Sequence, residues 1–192
     1  MIKCNHGCKW HYIIKNKNEF LNNKQLFEQV KKQMTGWLEQ NFCWWGGFEL
    51  QYLNIKPKIL IEPLLREKLY IQSEEINIYC FAGEVEFIIK QFINGENIIS
   101  YYDKHCNSIE PIFNTIEKII YKNADNNIRQ TIALSKSLSK KFDFVRVDWM
   151  IYQNKIYFTE LTFTPYSGFQ TFKNKKINIQ FGNLINLKGV NS

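Results

Sequence analysis

Apolar and polar positions alternate through residues 144–152 and again beyond Lys155, the period-two pattern of two half-buried strands joined by a turn. The alternation puts Arg146 and Asp148 on one face of the first strand and Val145 and Val147 on the other. On the returning strand Phe158, Glu160 and Thr162 share a face. A two-residue turn at Gln153-Asn154 sets Asp148 opposite Thr159, whereas a three-residue turn, Gln153-Asn154-Lys155, sets it opposite Glu160. The three-residue turn is the expected one, since Asn tolerates the positive φ such a loop needs.

Upstream of this hairpin, residues 1–14 read as strand, loop, strand. A helix is predicted over 24–42, where Leu26, Phe27, Val30, Met34, Trp37 and Leu38 form one apolar stripe. Residues 43–52 form an aromatic loop, and 56–65 a β-rich run ending in Glu-Pro-Leu-Leu. Residues 76–90 read as a hairpin turning at Ala82-Gly83, and 91–102 as a strand pair around Asn94-Gly95. Two more helices are predicted, over 109–121 and 126–142, the second burying Ile128, Ile132, Leu134 and Leu138.

The length of 192 residues, 45% of them hydrophobic, suffices for one domain with a core or for two small lobes. A net charge of +7 favours polyanionic partners. The lysines are scattered, however, with short clusters only at 31–32, 140–141 and 173–176, and the wealth of Asn, Lys and Ile suggests AT-rich coding. Nucleic acid is therefore not the expected partner. Five cysteines, an odd number, with no leader and no long apolar run predict a reduced, cytoplasmic chain without a transmembrane segment. Cys4, His6, Cys8 and His11 do not have zinc-knuckle spacing, and no second Cys pair follows at ribbon distance.

The chemistry sits in the first hairpin described. Two carboxylates facing each other repel unless a cation lies between them. One or two Mg²⁺ ions suit a pair of protein carboxylates, with water and phosphate oxygens completing the shell. Arg146 beside Asp148 could then stabilise charge on a transferring phosphoryl group. The competing reading is an ordinary amphipathic hairpin with solvated charges, and spacing alone does not choose between them.

A family resemblance does discriminate. R-V-D at 146–148, a glutamate at 160 and E-L-T-F-T-P-Y-S-G-F at 160–169 resemble the metal-binding end of the ATP-grasp ligases, and of these most closely the TupA-like ATP-grasp family. ATP-grasp sites generally read R-x-D and then E-x-N; Thr162 stands in the Asn position, as in the TupA-like variant ELTFTP. Where that family usually has Gly-Ser-Gly after the proline, this chain has Tyr166-Ser167-Gly168. K-C-N-H-G at 3–7 is similar to the family's phosphate-covering loop, with Cys8 for a serine and Lys9 for a second glycine. Glu49 and Tyr52 match a family Glu and Tyr, and Tyr101 to Lys104 and Phe181 to Leu184 match further segments. One departure stands out: Asn77 occupies the position of a lysine that faces the phosphates in the family.

The resemblance implies an α+β chain of ATP-grasp fold, two lobes with antiparallel sheets enclosing the nucleotide, with 1–65 a partial small lobe and 66–192 the large lobe. It implies ATP and Mg²⁺ as cofactors. Lys3, His6 and Gly7 would belong to the phosphate cover; Lys58, Glu62, Pro63 and Leu65 to the adenine hinge. Lys3 and Arg146 would act on the phosphates in catalysis, and Asp148, Glu160 and Thr162 would hold metal. The implied reaction is carboxylate–amine ligation through an acyl phosphate, in teichuronopeptide or other cell-envelope polysaccharide biosynthesis, with a uronic-acid precursor as a candidate substrate. ATP-grasp proteins normally carry an α/β domain upstream, so a separately encoded N-terminal domain is an expected partner. The alternative is a truncated, catalytically impaired nucleotide-binding remnant, for which Asn77 and Lys9 argue.

Overall fold

The computed structural model describes residues 1–45, 49–65, 73–94 and 96–185. The chain divides into two compact units, Met1–Leu65 and Arg66–Ser192. The Gly46-Gly47-Phe48 part of the aromatic loop and Gly95 of the Asn94-Gly95 turn lie outside the described residues.

In the first unit, β1 (Ile2–Cys4) pairs on one side with β2 (His11–Tyr12) and on the other with β3 (Ile59–Ile61), both antiparallel. Cys4 turns inward to meet Phe20, Val30 and Met34, with Trp10, Tyr12, Leu26 and Trp37 packed around them. Phe20 belongs to α1 (Lys17–Asn22), a short helix that the apolar pattern does not announce. Its start is set by the Asn16 side chain, which accepts from the Asn18 and Glu19 amides. Asn23 caps α2 (Lys24–Leu38) in the same way through Leu26 N. Val30 and Met34 are the buried part of the predicted stripe, while Phe27 stays half-exposed against the Phe20 ring. The helix stops at Leu38, short of the expected 42, because the Asn41 side chain accepts from Cys43 N and starts a new turn, α3 (Phe42–Trp45).

In the second unit, β4 (Ser73–Phe81), β5 (Glu84–Asn94) and β6 (Glu96–Asp103) form a meander. The Ala82-Gly83 turn has φ of 48° and 83°, the left-handed pair a two-residue hairpin needs. A side chain at Gly83 would also meet the Lys140 Cα at 3.2 Å. Two short strands, β7 (Ser108–Ile109) and β8 (Lys118–Ile119), both lie along β6, the second parallel to it. This overturns the helix predicted over 109–121. Pro111 has no amide to give a helix, and Ile112 and Phe113 are drawn into the core, where Ile112 O accepts from Lys173 N. After α4 (Asn126–Ser139) the chain forms β9 (Phe144–Tyr152) and β10 (Lys155–Thr162), completing the seven-stranded sheet in the order β10-β9-β4-β5-β6-β7, with β8 beside β6. α5 (Lys175–Gly182) follows. Together the two units make an α+β protein with predominantly antiparallel sheets.

One face of the large sheet, with Ile76, Ile78, Val145, Val147, Trp149 and Ile151, packs on α4. The buried stripe of α4 is Ile128, Thr131, Ser135 and Ser139, not the expected Leu134 and Leu138, which are exposed. Small residues there admit the Trp149 ring, whose Nε1 donates to Ser135 Oγ at 2.8 Å. The opposite face is covered over β5 and β6 by Ile112, Phe113 and Phe181. Described helices include none long and apolar enough to cross a membrane.

An ion triad fixes α4 to the sheet. The Lys90 side chain is only 11% exposed, and its Nζ bonds Glu74 at 2.7 Å and also Asp125, which caps α4 through Ile128 N. Burial works to raise the Asp125 carboxyl, but Lys90 and the Ile128 and Asn127 amides outweigh it and hold it below its usual range. Burial likewise opposes the Lys90 ammonium, and its two carboxylate partners more than compensate. A depressed carboxyl stabilises the fold above its unfolded pKa, about 3.9, and the benefit is lost as pH falls through the folded value. Asp125→Ala is expected to lower stability by about 1–2 kcal/mol at pH 7, chiefly through the lost cap. In denaturant melts at pH 7 and pH 3 the gap between wild type and variant should narrow at the lower pH.

Candidate functional site

The face of the large sheet opposite α4 carries the predicted acids, on β9 and β10. The expected three-residue turn is absent: Lys155 pairs with Tyr152, so Gln153 and Asn154 form a two-residue turn, with φ of 49° and 59°. Continued without interruption, that register would set Asp148 against Thr159. A bulge between Phe158 and Glu160 absorbs one residue and brings Glu160 opposite Asp148. Thr159 Oγ1 secures the bulge by donating to the Asp148 carbonyl at 2.9 Å. The bulge also separates Phe158 from Glu160. Phe158 pairs with Trp149 and packs edge-on against its ring, on the α4 face, so the three residues expected on one face are only two, Glu160 and Thr162.

Register then aligns two rows across the strands. Glu160, Asp148 and Asn77 form one; Thr162, Arg146 and Tyr79 form the other. Arg146 grips Asp148 with both arms of its fork, Nε to Oδ1 at 2.7 Å and Nη2 to Oδ2 at 2.7 Å. Asn77 Nδ2 donates to Oδ1 at 2.9 Å, and Thr162 Oγ1 lies 2.9 Å from Oδ2. The Arg146 side chain is 14% exposed and that of Asp148 7%. Burial alone would lower the guanidinium pKa, yet Asp148 holds it above its already high value. The guanidinium also stands 6.0 Å from the centre of the Tyr79 ring, a cation–π distance.

Glu160 is the exposed member, 59% by side chain. Loss of hydration, and then the neighbouring Asp148 charge, raise its pKa, whereas Arg146 pulls the other way. Thr162 Oγ1 is 2.9 Å from Asp148 Oδ2 and 3.2 Å from Glu160 Oε1. These spacings match the edge of about 3 Å between neighbouring oxygens around Mg²⁺ at ~2.1 Å. Hard oxygen donors, two of them carboxylates in mutual repulsion, fit a divalent cation. No described group of three or more His, Cys, Asp or Glu side chains could hold a metal. A site this poor in protein ligands suits an ion whose remaining positions go to water and phosphate.

Beyond Thr162 the chain turns through Pro165–Gly168, where Tyr166, Ser167 and Gly168 all adopt left-handed φ of 51°, 54° and 80°. Only Gly168 does so without strain. The Tyr166 side chain is largely exposed, so little packing offsets the cost. Lys9 has a φ of 61° and is exposed as well. Tyr166→Gly and Lys9→Gly are each expected to stabilise the fold by about 0.5–1 kcal/mol, read as a rise in thermal midpoint.

The first unit brings together some of the remaining predicted residues. Lys3 on β1 and Glu62 just beyond β3 form an ion pair of 3.0 Å, both partly exposed. Such a pair contributes at most about 1 kcal/mol and is readily exchanged for another partner. Lys58 and Pro63 are exposed, and Leu65 is half-buried. His6 is buried, with Nε2 on the Trp37 carbonyl at 2.9 Å and its ring edge-on to Trp10, so it anchors the loop from beneath. Its Nδ1 is buried without a hydrogen-bond partner. Gly7 lies against the same indole: a Cβ there would fall 2.4 Å from Trp10 Cε3, so the space above this glycine is taken by tryptophan. Asn5 was not among the expected site residues. It accepts from Lys58 N at 2.7 Å and donates to the Lys56 carbonyl at 3.1 Å, tying the loop to the incoming strand. Tyr79 was likewise missed; neither motif spacing nor charge marks it, since the sheet register alone places it beside Arg146.

The model of the TupA-like ATP-grasp family matches residues 1–186. Comparisons with curated proteins and with solved structures return no match.

Proposed function

Because the chain belongs to the TupA-like ATP-grasp family, we propose that it is an ATP-dependent carboxylate–amine ligase acting in cell-envelope polysaccharide biosynthesis, in the cytoplasm. The observation that supports this most is the Asp148–Glu160–Thr162 oxygen cluster with Arg146 on its flank, positioned by the bulge in β10. The first unit, Met1–Leu65, is read as the partial small lobe and the second as the large lobe with the metal site.

Asp148, Glu160 and Thr162 would hold Mg²⁺, which when bound neutralises phosphate charge. Arg146 binds phosphoryl oxygens and, being permanently charged and mostly withdrawn from water, stabilises the charge that develops on them. Lys3 binds phosphate once it leaves Glu62. Glu62 and the backbone of Pro63 and Leu65 read adenine, with Lys58 close by; Pro63 can offer only its carbonyl. His6 and Gly7 shape the cover loop around Trp10. The reaction runs in two displacements. A carboxylate oxygen of the substrate attacks the γ-phosphorus and ADP leaves, giving an acyl phosphate. An amine then attacks the acyl carbon, the C–O bond to phosphate breaks, and the nitrogen loses a proton. The protein's part is positioning and charge stabilisation. A uronic acid is the proposed carboxylate class, and a separately encoded α/β domain the proposed partner.

Hydroxylamine provides the test. With ATP, Mg²⁺ and a uronic acid, the ligase should yield a hydroxamate and one ADP for each trapped acyl group. A second reading, a nucleotide-binding remnant, is favoured by Asn77, a neutral amide bonded to Asp148 where the family has a cation. Binding of ATP without any hydroxamate, across a panel of sugar acids and amino acids, would support the remnant and rule against the ligase.

A further inference from the structure

We propose that Arg146 is a stand-in cation: it occupies Asp148 until a divalent ion arrives together with a polyphosphate, so that the site takes the metal–polyphosphate complex and rejects the free ion. The polyphosphate half rests on the nucleotide reading above; the rejection rests on the geometry of the site alone.

A carboxylate has about four lone-pair positions. In Asp148 four donors reach them. Oδ1 accepts from Arg146 Nε at 2.7 Å and Asn77 Nδ2 at 2.9 Å. Oδ2 accepts from Arg146 Nη2 at 2.7 Å and has Thr162 Oγ1 at 2.9 Å. An ion cannot bind Asp148 without removing one of them. Thr162 yields most easily, since its hydroxyl can turn to Glu160 Oε1, 3.2 Å away. That leaves a guanidinium in double contact with the carboxylate the ion must share, in a place where water screens little. Arg146 must therefore move, and a buried guanidinium without an anion is costly. Glu160, 4.0 Å from Nη2, is the nearest alternative, but it is itself needed by the ion. A polyphosphate resolves the conflict: its oxygens can accept the same fork that Asp148 releases. Asn77 contributes by being neutral. It holds Asp148 without adding a second positive charge.

The probe is Mn²⁺ by electron paramagnetic resonance, on the full chain, first alone and then with a non-hydrolysable ATP analogue or inorganic tripolyphosphate. Wild type should bind Mn²⁺ alone weakly. Arg146→Met should bind it at least about tenfold more tightly, and Mn²⁺ should raise the melting temperature of this variant and not of wild type. With analogue or tripolyphosphate present the order should reverse, wild type binding the complex about tenfold more tightly than the variant. Should Arg146→Met fail to fold, Arg146→Lys, which keeps the charge but not the fork, should show the same two trends to a smaller degree. Wild type binding free Mn²⁺ as tightly as the variants would overturn the proposal, as would variants that bind the complex as well as wild type does. Reversal with tripolyphosphate but not with the ATP analogue would refute the nucleotide reading and leave the stand-in cation in place.

Discussion

Asp148→Asn is expected to weaken binding of a Mg²⁺–ATP analogue by at least about 100-fold. Loss of a residue that merely orients a metal ligand already costs 10–100-fold, and here the ligand itself loses its charge. The amide keeps the size of the carboxylate but presents one acceptor oxygen instead of two. It therefore removes the negative charge that, with Glu160, is to hold the ion, while Glu160 and Thr162 stay on the same strand. Calorimetric titration of wild type and variant at equal Mg²⁺ checks this. Unchanged affinity in the variant would mean that the metal, if any, binds elsewhere. Because the variant leaves Arg146 without its counter-charge, circular dichroism must confirm that it remains folded under the same conditions.

Arg146→Met is expected to cost about 3–5 kcal/mol in folding free energy, the range for breaking a buried ion pair from one side. The residue supplies two of the bonds on Asp148 and stands over Tyr79. Methionine fills part of the space but gives no donor. Asn77 and Thr162 remain as partners of Asp148, which places the expected loss toward the lower end of the range. Urea unfolding of wild type and variant measures it. A loss under about 1 kcal/mol would show that the pair is solvated in spite of its burial in the fold.

Why some of this architecture is legible in the sequence, and some is not, can be seen in particular residues. Strand alternation is a local property, so Arg146 and Asp148 opposite Val145 and Val147 follow from the residues alone. The facing of Asp148 and Glu160 also follows, but through a different device. The sequence suggests a longer turn, whereas the fold uses a short one and a bulge at Thr159. A bulge is decided by what its neighbours require and leaves no compositional mark when the extra residue is an ordinary β-former. In 109–121 the isoleucines at 109, 112, 116 and 120 imitate helical spacing, yet Ser108–Ile109 and Lys118–Ile119 take backbone partners along β6, and Pro111 between them has no amide to give a helix. In α4, hydrophobicity favours Leu134 and Leu138 for the interior, while the bulk of Trp149 selects Ser135 and Thr131. The motif residues of the metal site are legible because their spacing is tied to chemistry. Asn5 and Tyr79 are not, because their roles arise only when distant segments meet.

Under the proposed function, Asp148 and Glu160 on adjacent strands hold a metal that comes with its nucleotide. The most direct measurement is calorimetry of wild-type protein with a non-hydrolysable ATP analogue, in Mg²⁺ and then in chelator. Binding should be saturable and one-to-one in Mg²⁺ and should weaken at least about tenfold when the metal is removed. Equal affinity with and without Mg²⁺, or no binding in either, would contradict it.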